Sequence, residues 1–480
     1  MTSTTITDKI NLTDNKFIIP LLIAISILLG VALLYSPGRS LFIYILAMAV
    51  AVIFIEPFIG AMIYLILLYV RPFELYPVPI PVMKYLALLI LSVWLLKVII
   101  HRQRSFVKAP QNLLMIAFLA ILMISQKTYI QGVVDTFSEF SKIVIIYFLL
   151  INLVIDERRL KVTIWILILC TTYLAIQGIL LSEGIAMGDI NVVGSVVGEN
   201  RVQSTGIFGD PNDMAMSLVI GIPFIFYLFF VERLILKKIL LVVFGVLILY
   251  CILLTGSRGG MLGLVAVIFL LLRGKIGTFA GMVLAIICIV GLLVIAPSST
   301  TGRYKDVTSR DSTAFSRIEL WYYGWEMFKS SPIIGIGMGN YPEYAKGYVA
   351  HNSFVNVAAE TGIIGLMIWI GLFYFAFKGL ATIDKRADII SNSDRNHYAT
   401  VKDPWKEKAT RISLIGFIVC VFSLSRQYEY IPYVLMALTV SISHVSDSQK
   451  MRISLKDAVK IAGIAFVFIV WWFITVRIFL

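Results

Sequence analysis

Residues 239–272, ILLVVFGVLILYCILLTGSRGGMLGLVAVIFLLL, hold two apolar runs, 239–255 and 261–272, either side of the polar turn Thr255-Gly-Ser-Arg-Gly-Gly260. The runs are continuous in Leu, Ile and Val and do not alternate with period two. That excludes a membrane β-barrel and leaves membrane helices, the other structure that satisfies every backbone group inside a bilayer. Comparable runs recur from residue 17 to the end of the chain. Several fall short of the ~20 residues a spanning helix needs, so the reading is an all-α polytopic membrane protein, a bundle of roughly 12–15 transmembrane helices. Composition agrees: 59% of the 480 residues are hydrophobic and 14% charged, against about 45–50% and about 25% in soluble domains.

Residues 1–16 are polar and include Asp8, Asp14 and Lys16, so the first apolar run is expected to be an anchor and not a cleaved signal. Cys170, Cys251, Cys288 and Cys420 sit inside apolar runs without CxxC spacing, which suits small buried hydrophobes better than disulfides or a zinc site. The net charge of +13 is spread over short loops, as topology control requires, and gives no basis for nucleic-acid binding.

Basic loops at 101–108, 156–161, 232–238, 273–275, 379–411 and 447–460 face the cytoplasm under the positive-inside rule. The loops 71–81, 182–210, 255–260, 297–350 and 425–430 then face outward. The expected organisation is a cytoplasmic tail 1–16, N-terminal helices 17–181, a catalytic region 182–378 that includes the loop 297–350, a cytoplasmic loop 379–411 and C-terminal helices 412–480. Within the long loop, Phe315, Ile318, Trp321, Tyr322, Trp325 and Phe328 recur at helical spacing after Asp311, Ser312 and Thr313, predicting an amphipathic helix. It suits the membrane interface and equally suits packing onto the bundle.

Four polar clusters fall on the outer face. The first runs from Arg201 to Asp213; its end reads as a helix start, with Asp210 as N-cap and Pro211 in the first turn, whereas Arg201 has no such account and could serve a phosphate. The second is the turn around Arg258, which either snorkels to headgroups or grips a phosphate group bidentately. The third is Ser316-Arg317-Ile-Glu-Leu-Trp321. The fourth is His351-Asn-Ser-Phe354 followed by Glu360. His351 stands alone among the four histidines on the outer face, where an imidazole can accept a proton near neutrality; no second ligand at metal spacing accompanies it. Glu360, at or near membrane depth, is a candidate by its position. The run Gly335-Ile-Gly-Met-Gly-Asn340 is discounted as a dinucleotide fingerprint because no strand precedes it, and is expected to be a turn leading toward His351. Three arginines and one histidine on one face suit an anionic, membrane-embedded ligand.

Gly206-x-Phe-x-x-Pro-Asn212, Ser257-Arg-Gly-Gly260, Ser316-Arg-x-x-x-Trp321, Pro332-x-x-Gly-x-Gly337 and His351-x10-Gly362 together resemble the O-antigen ligase and Wzy-type polymerase family. The match covers about residues 195–378. The resemblance implies an inner-membrane glycosyltransferase that takes a glycan from undecaprenyl diphosphate in the periplasm. The acceptor would be another glycan, lipid A core or a protein. It also implies Arg258 and Arg317 as the diphosphate-binding arginines, His351 as the essential histidine and Arg201 at a place where many members carry arginine; Asn352 and Glu360 join these as candidate substrate contacts from their own positions beside His351 and near membrane depth. The transfer would be a metal-independent inverting displacement without a cofactor. A polymerase or a protein O-glycosyltransferase fits the same motifs. A transporter or flippase for a lipid-linked or anionic solute is the alternative of a different class, disfavoured because the apolar runs hold few ionisable groups.

Overall fold

A computed structural model describes residues 47–72, 81–100, 106–126, 130–185, 195–196, 199–200, 202, 208–295, 313–393, 405–446 and 451–479. After a helical segment at 47–55, the elements are α1 (Pro57–Val70), α2 (Val82–Ile100), α3 (Pro110–Ser125), α4 (Ile130–Leu153) and α5 (Glu157–Ser182). A two-residue antiparallel ladder follows, β1 (Ser195–Val196) with β2 (Glu199–Asn200). Then come α6 (Pro211–Val231), α7 (Ile235–Thr255), α8 (Arg258–Ile276), α9 (Thr278–Ile295), α10 (Thr313–Ser330), α11 (Tyr341–Tyr344), α12 (Ser353–Ser393), α13 (Trp405–Val421), α14 (Tyr430–Val445) and α15 (Leu455–Phe479).

Among the described residues, seven helices are long and apolar enough to cross a membrane, and four more are apolar but shorter. The fold is thus the all-α, multi-pass membrane bundle that the apolar runs predict. Local chemistry sets the helix starts. Glu56, Asp156, Asp210 and Ser257 each accept a hydrogen bond from a first-turn amide, and Pro57, Pro110 and Pro211 occupy first-turn positions where no amide donor is needed. In the interior α6 packs against α7, α8 and α13, while α12 packs against α3, α14 and α15. A Cβ on Gly260 would stand 2.5 Å from the Cβ of Ala215, so the second glycine of the Ser-Arg-Gly-Gly turn is what lets α8 approach α6. Large apolar side chains such as Ile239, Phe279, Ile287 and Phe466 remain exposed on the outside of the bundle, as a lipid-facing surface requires.

The two ends of the bundle differ in their polar contacts. At one end, Lys161 and Lys237 pair with Glu232, Lys406 with Glu157, and Lys378 with Asp457 at 2.6 Å. These residues come from the basic loops or lie beside them. At the opposite end the starts of α6 and α12 meet the 424–426 loop, and the start of α8 lies against Cys420 and Ser423 just before it. Helix α15 connects the ends: Asp457 lies in its first turn, and Trp472, near its finish, donates to the Trp321 carbonyl of α10 at 3.0 Å. The predicted amphipathic helix is α10. Part of its aromatic face packs on α15, with Trp325 edge-on to Trp472 at 5.2 Å, while Tyr322 stays exposed. Helix α12 runs on to Ser393, through the first part of the loop expected at 379–411.

Helix α12 is broken at Gly362, where φ is 65° and ψ −166°. Residues 332–337 enter the break and supply the hydrogen bonds that the helix loses there. Ile336 and Gly337 donate to the carbonyls of Ala359 and Glu360 at 3.1 and 2.9 Å, and Ile363 donates to the Pro332 carbonyl at 2.8 Å. A Cβ on Gly335 would lie 2.2 Å from the Glu360 carbonyl carbon, and one on Gly362 would lie 2.3 Å from that of Ile333. Only glycine fits at either crossing. The glycine-rich run is therefore a loop interlocked with a membrane helix.

Candidate functional site

Arg258 is the first residue of α8, directly after the N-cap Ser257. Ser257 Oγ donates to Asn212 Oδ1 at 2.7 Å, and Asn212 Nδ2 donates to Asp210 Oδ1 at 2.8 Å. One polar chain thus ties the start of α8 to the start of α6, and Asp210 is the N-cap that the sequence predicts. Arg317 lies near the start of α10; one turn on, Trp321 Nε1 donates to the Ala350 carbonyl at 3.0 Å, which fixes the residue preceding His351. Asn352 caps α12, its Oδ1 accepting from the amides of Phe354 and Val355 at 2.9 and 3.2 Å. Its Nδ2 is buried without a hydrogen-bond partner among the described residues.

His351 has a φ of 47°, in the left-handed region that costs a non-glycine residue on the order of 1–3 kcal/mol and is found preferentially at functional sites. Of the three non-glycine residues with positive φ among the described residues, Lys346 and His351 both line one cavity of about 400 Å³. Arg317, Glu319, Tyr323 and Tyr348 line it too.

The electrostatics bind the cluster together. Burial first, and then the Arg258 cation, push Arg317 below its ordinary pKa, with Asp210 opposing. An arginine stays charged under such pressure, so two cations are held close in a partly dry place with Asp210 as an opposing charge. Burial likewise pushes His351 below its ordinary value, Arg317 and Arg426 push the same way, and Asp210 opposes. At neutral pH the imidazole is uncharged and able to accept a proton.

Arg258, Arg317, His351 and Asn352 are thus brought to one end of the bundle, as their motifs suggest. Glu360 has a different environment. It is 1% exposed, and its Oε1 accepts from the amides of Gly339 and Tyr341 at 3.0 and 3.3 Å, so it fastens the interlocked loop. Arg201 lies outside the described residues.

Sequence reasoning missed Arg426. This side chain makes a two-point ion pair with Asp213, whose side chain is 2% exposed, and the Arg426 amide donates to Ser353 Oγ at 2.9 Å. The pair joins α6 to the start of α12 beside His351. The available signal was an arginine in the short loop 425–430, expected on the outer face against the positive-inside trend, together with an aspartate in the first turn of an apolar helix.

The chain is thus a multi-pass membrane bundle with Arg258, Arg317 and His351 gathered at one end. Residues 243–370 match the family model described as O-Antigen ligase, so this part of the chain is similar to that family. The matched range contains Arg258, Arg317 and His351. A relative is the exopolysaccharide production protein ExoQ of Rhizobium meliloti (strain 1021), 33% identical over 86 residues. That alignment covers 15% of this chain and about a fifth of the relative.

Proposed function

We propose that the protein transfers a glycan from undecaprenyl diphosphate to an acceptor hydroxyl at the periplasmic face of the bacterial inner membrane. The observation that carries this reading is the mutual proximity of the Arg258 and Arg317 cations beside a neutral, left-handed His351 on a cavity wall. The two guanidinium groups hold the diphosphate and stabilise the negative charge that grows on it as it leaves. His351 takes the proton of the acceptor hydroxyl as that oxygen forms its bond to the anomeric carbon. The bond from that carbon to the diphosphate breaks on the opposite face, so the configuration inverts. Arg426 and Asp213 hold the loop that carries this geometry.

A second reading within the same chemistry, polymerisation of an exopolysaccharide, draws support from the similarity to ExoQ, an exopolysaccharide production protein. Lipid A core and protein acceptors stand as the remaining choices. Surface glycans of a deletion strain discriminate: single unpolymerised repeats indicate a polymerase, and finished polymer stranded on its lipid carrier indicates a ligase. The direct test is transfer of lipid-linked glycan from the host by purified protein. Removing a general base or one charge-stabilising donor costs about 10²–10⁴-fold, so Arg258→Ala, Arg317→Ala and His351→Ala should each lose at least a hundredfold. Transfer by His351→Ala at near wild-type rate would remove that residue from the chemistry, and passage of intact donor across the membrane without transfer would make the chain a transporter.

A further inference from the structure

A second cavity, of about 600 Å³, lies beyond the one that holds His351. The two share Glu319 and Tyr323 as walls. Together they make one groove along α10, beginning at Arg317 and reaching Glu326 and Lys329. Nine residues of helix from Arg317 to Glu326 span roughly 13 Å, so the groove continues well past the reacting centre. We infer that it is a carbohydrate-binding track that holds donor sugars beyond the one being transferred. The inference rests on the proposed function.

The chemistry of the walls separates sugar from phosphate as the occupant. The second cavity presents Tyr322, Tyr323 and Trp325 beside Glu319 and Glu326, with Lys329 and Arg477 at its edge. In the second cavity each carboxylate already has a lysine, Glu319 with Lys346 and Glu326 with Lys329, and Arg477 is the one further cation in its lining, whereas the other centre brings Arg258 and Arg317 together against Asp210. Aromatic rings offer flat faces to the C–H surface of a sugar ring, and carboxylates accept hydrogen bonds from its hydroxyls. These acceptors are already ordered. Lys346 pairs with Glu319 at 3.2 Å, Tyr323 OH donates to the same oxygen at 3.3 Å, and Lys329 pairs with Glu326 at 2.7 Å. Trp325 is fixed by its packing on Trp472 and Phe473, while Tyr322 is 40% exposed and available. A rigid rank of aromatic rings and acceptors suits an extended polyhydroxyl chain.

The test measures binding to the full chain in nanodiscs of two probes, undecaprenyl diphosphate bearing the host's repeat unit and the same lipid without sugar. Tyr322→Ala and Glu326→Gln should weaken the glycan-bearing probe about tenfold and leave the sugar-free probe unchanged. Tyr322→Phe, which keeps the ring, should retain the affinity and shows that the site still folds. Equal effects on both probes, or no effect on either, would overturn the track. Selective loss of bound phosphatidylglycerol in these variants would make the groove a headgroup site. Failure of Arg317→Ala to weaken the sugar-free probe would instead count against the proposed function, leaving the two ideas separately testable.

Discussion

The two ends of this bundle use charge in opposite ways. At the end marked by basic loops, buried or half-buried carboxylates meet lysines one to one or two to one: Glu232 with Lys161 and Lys237, Asp457 with Lys378, Glu157 with Lys406. Each anion there is compensated. At the other end Asp213 is matched by Arg426, while Arg258 and Arg317 lie within electrostatic reach of each other and of His351. The same residue types thus fasten helices at one end and gather cations at the other, where the proposed function would seat a diphosphate. What differs is that the cations at the second end stand beside one another, with Asp210 the opposing charge on Arg317 and His351.

The comparison can be broken by mutation, starting with its largest effect. Arg426→Ala strands Asp213, 2% exposed, without its partner. Arg426 is itself 32% exposed, which places the loss near the lower end for a buried pair, about 3 kcal/mol, seen as a lowered Tm in nanodiscs. The double variant Asp213→Asn with Arg426→Gln should recover most of that loss, and an equally unstable double variant would show that the pair is not the cause. A smaller effect concerns pH. Because burial, Arg317 and Arg426 hold His351 below its ordinary value of 6.5, kcat/KM for transfer should stay flat through neutrality. It should decline only as acidification below the ordinary histidine range charges the imidazole. An acid limb centred at or above 6.5 would contradict that assignment. The smallest effect belongs to the opposite end: Glu232→Gln disturbs pairs with lysines that are 41% exposed, so stability should drop by no more than about 1 kcal/mol, with transfer unaltered.

Much of this was legible in the sequence because it is local. Apolar runs gave the helices, Asp210 and Pro211 gave the start of α6, aromatic periodicity gave α10, and loop charge put Arg258, Arg317 and His351 at one end. Two features depend on partners far away along the chain. Asp213 reads as an ordinary first-turn acid until Arg426, 213 residues on, folds against it. Gly335 and Gly362 look like a turn and a spaced motif glycine until their backbones cross; nothing within either segment records that the other fills the gap. Glu360 likewise reads as a site candidate in a hydrophobic helix, and its bonds to the Gly339 and Tyr341 amides emerge only with that crossing.

The central claim is that the Arg258–Arg317 end takes a lipid diphosphate and the opposite end takes none. Its most direct test is the affinity of sugar-free undecaprenyl diphosphate for the wild-type protein and for Arg258→Ala, Arg317→Ala and Lys161→Gln in nanodiscs. Each arginine variant should bind at least about tenfold more weakly, and Lys161→Gln should bind as the wild type does. Equal affinity in all four proteins, or loss confined to Lys161→Gln, would contradict it.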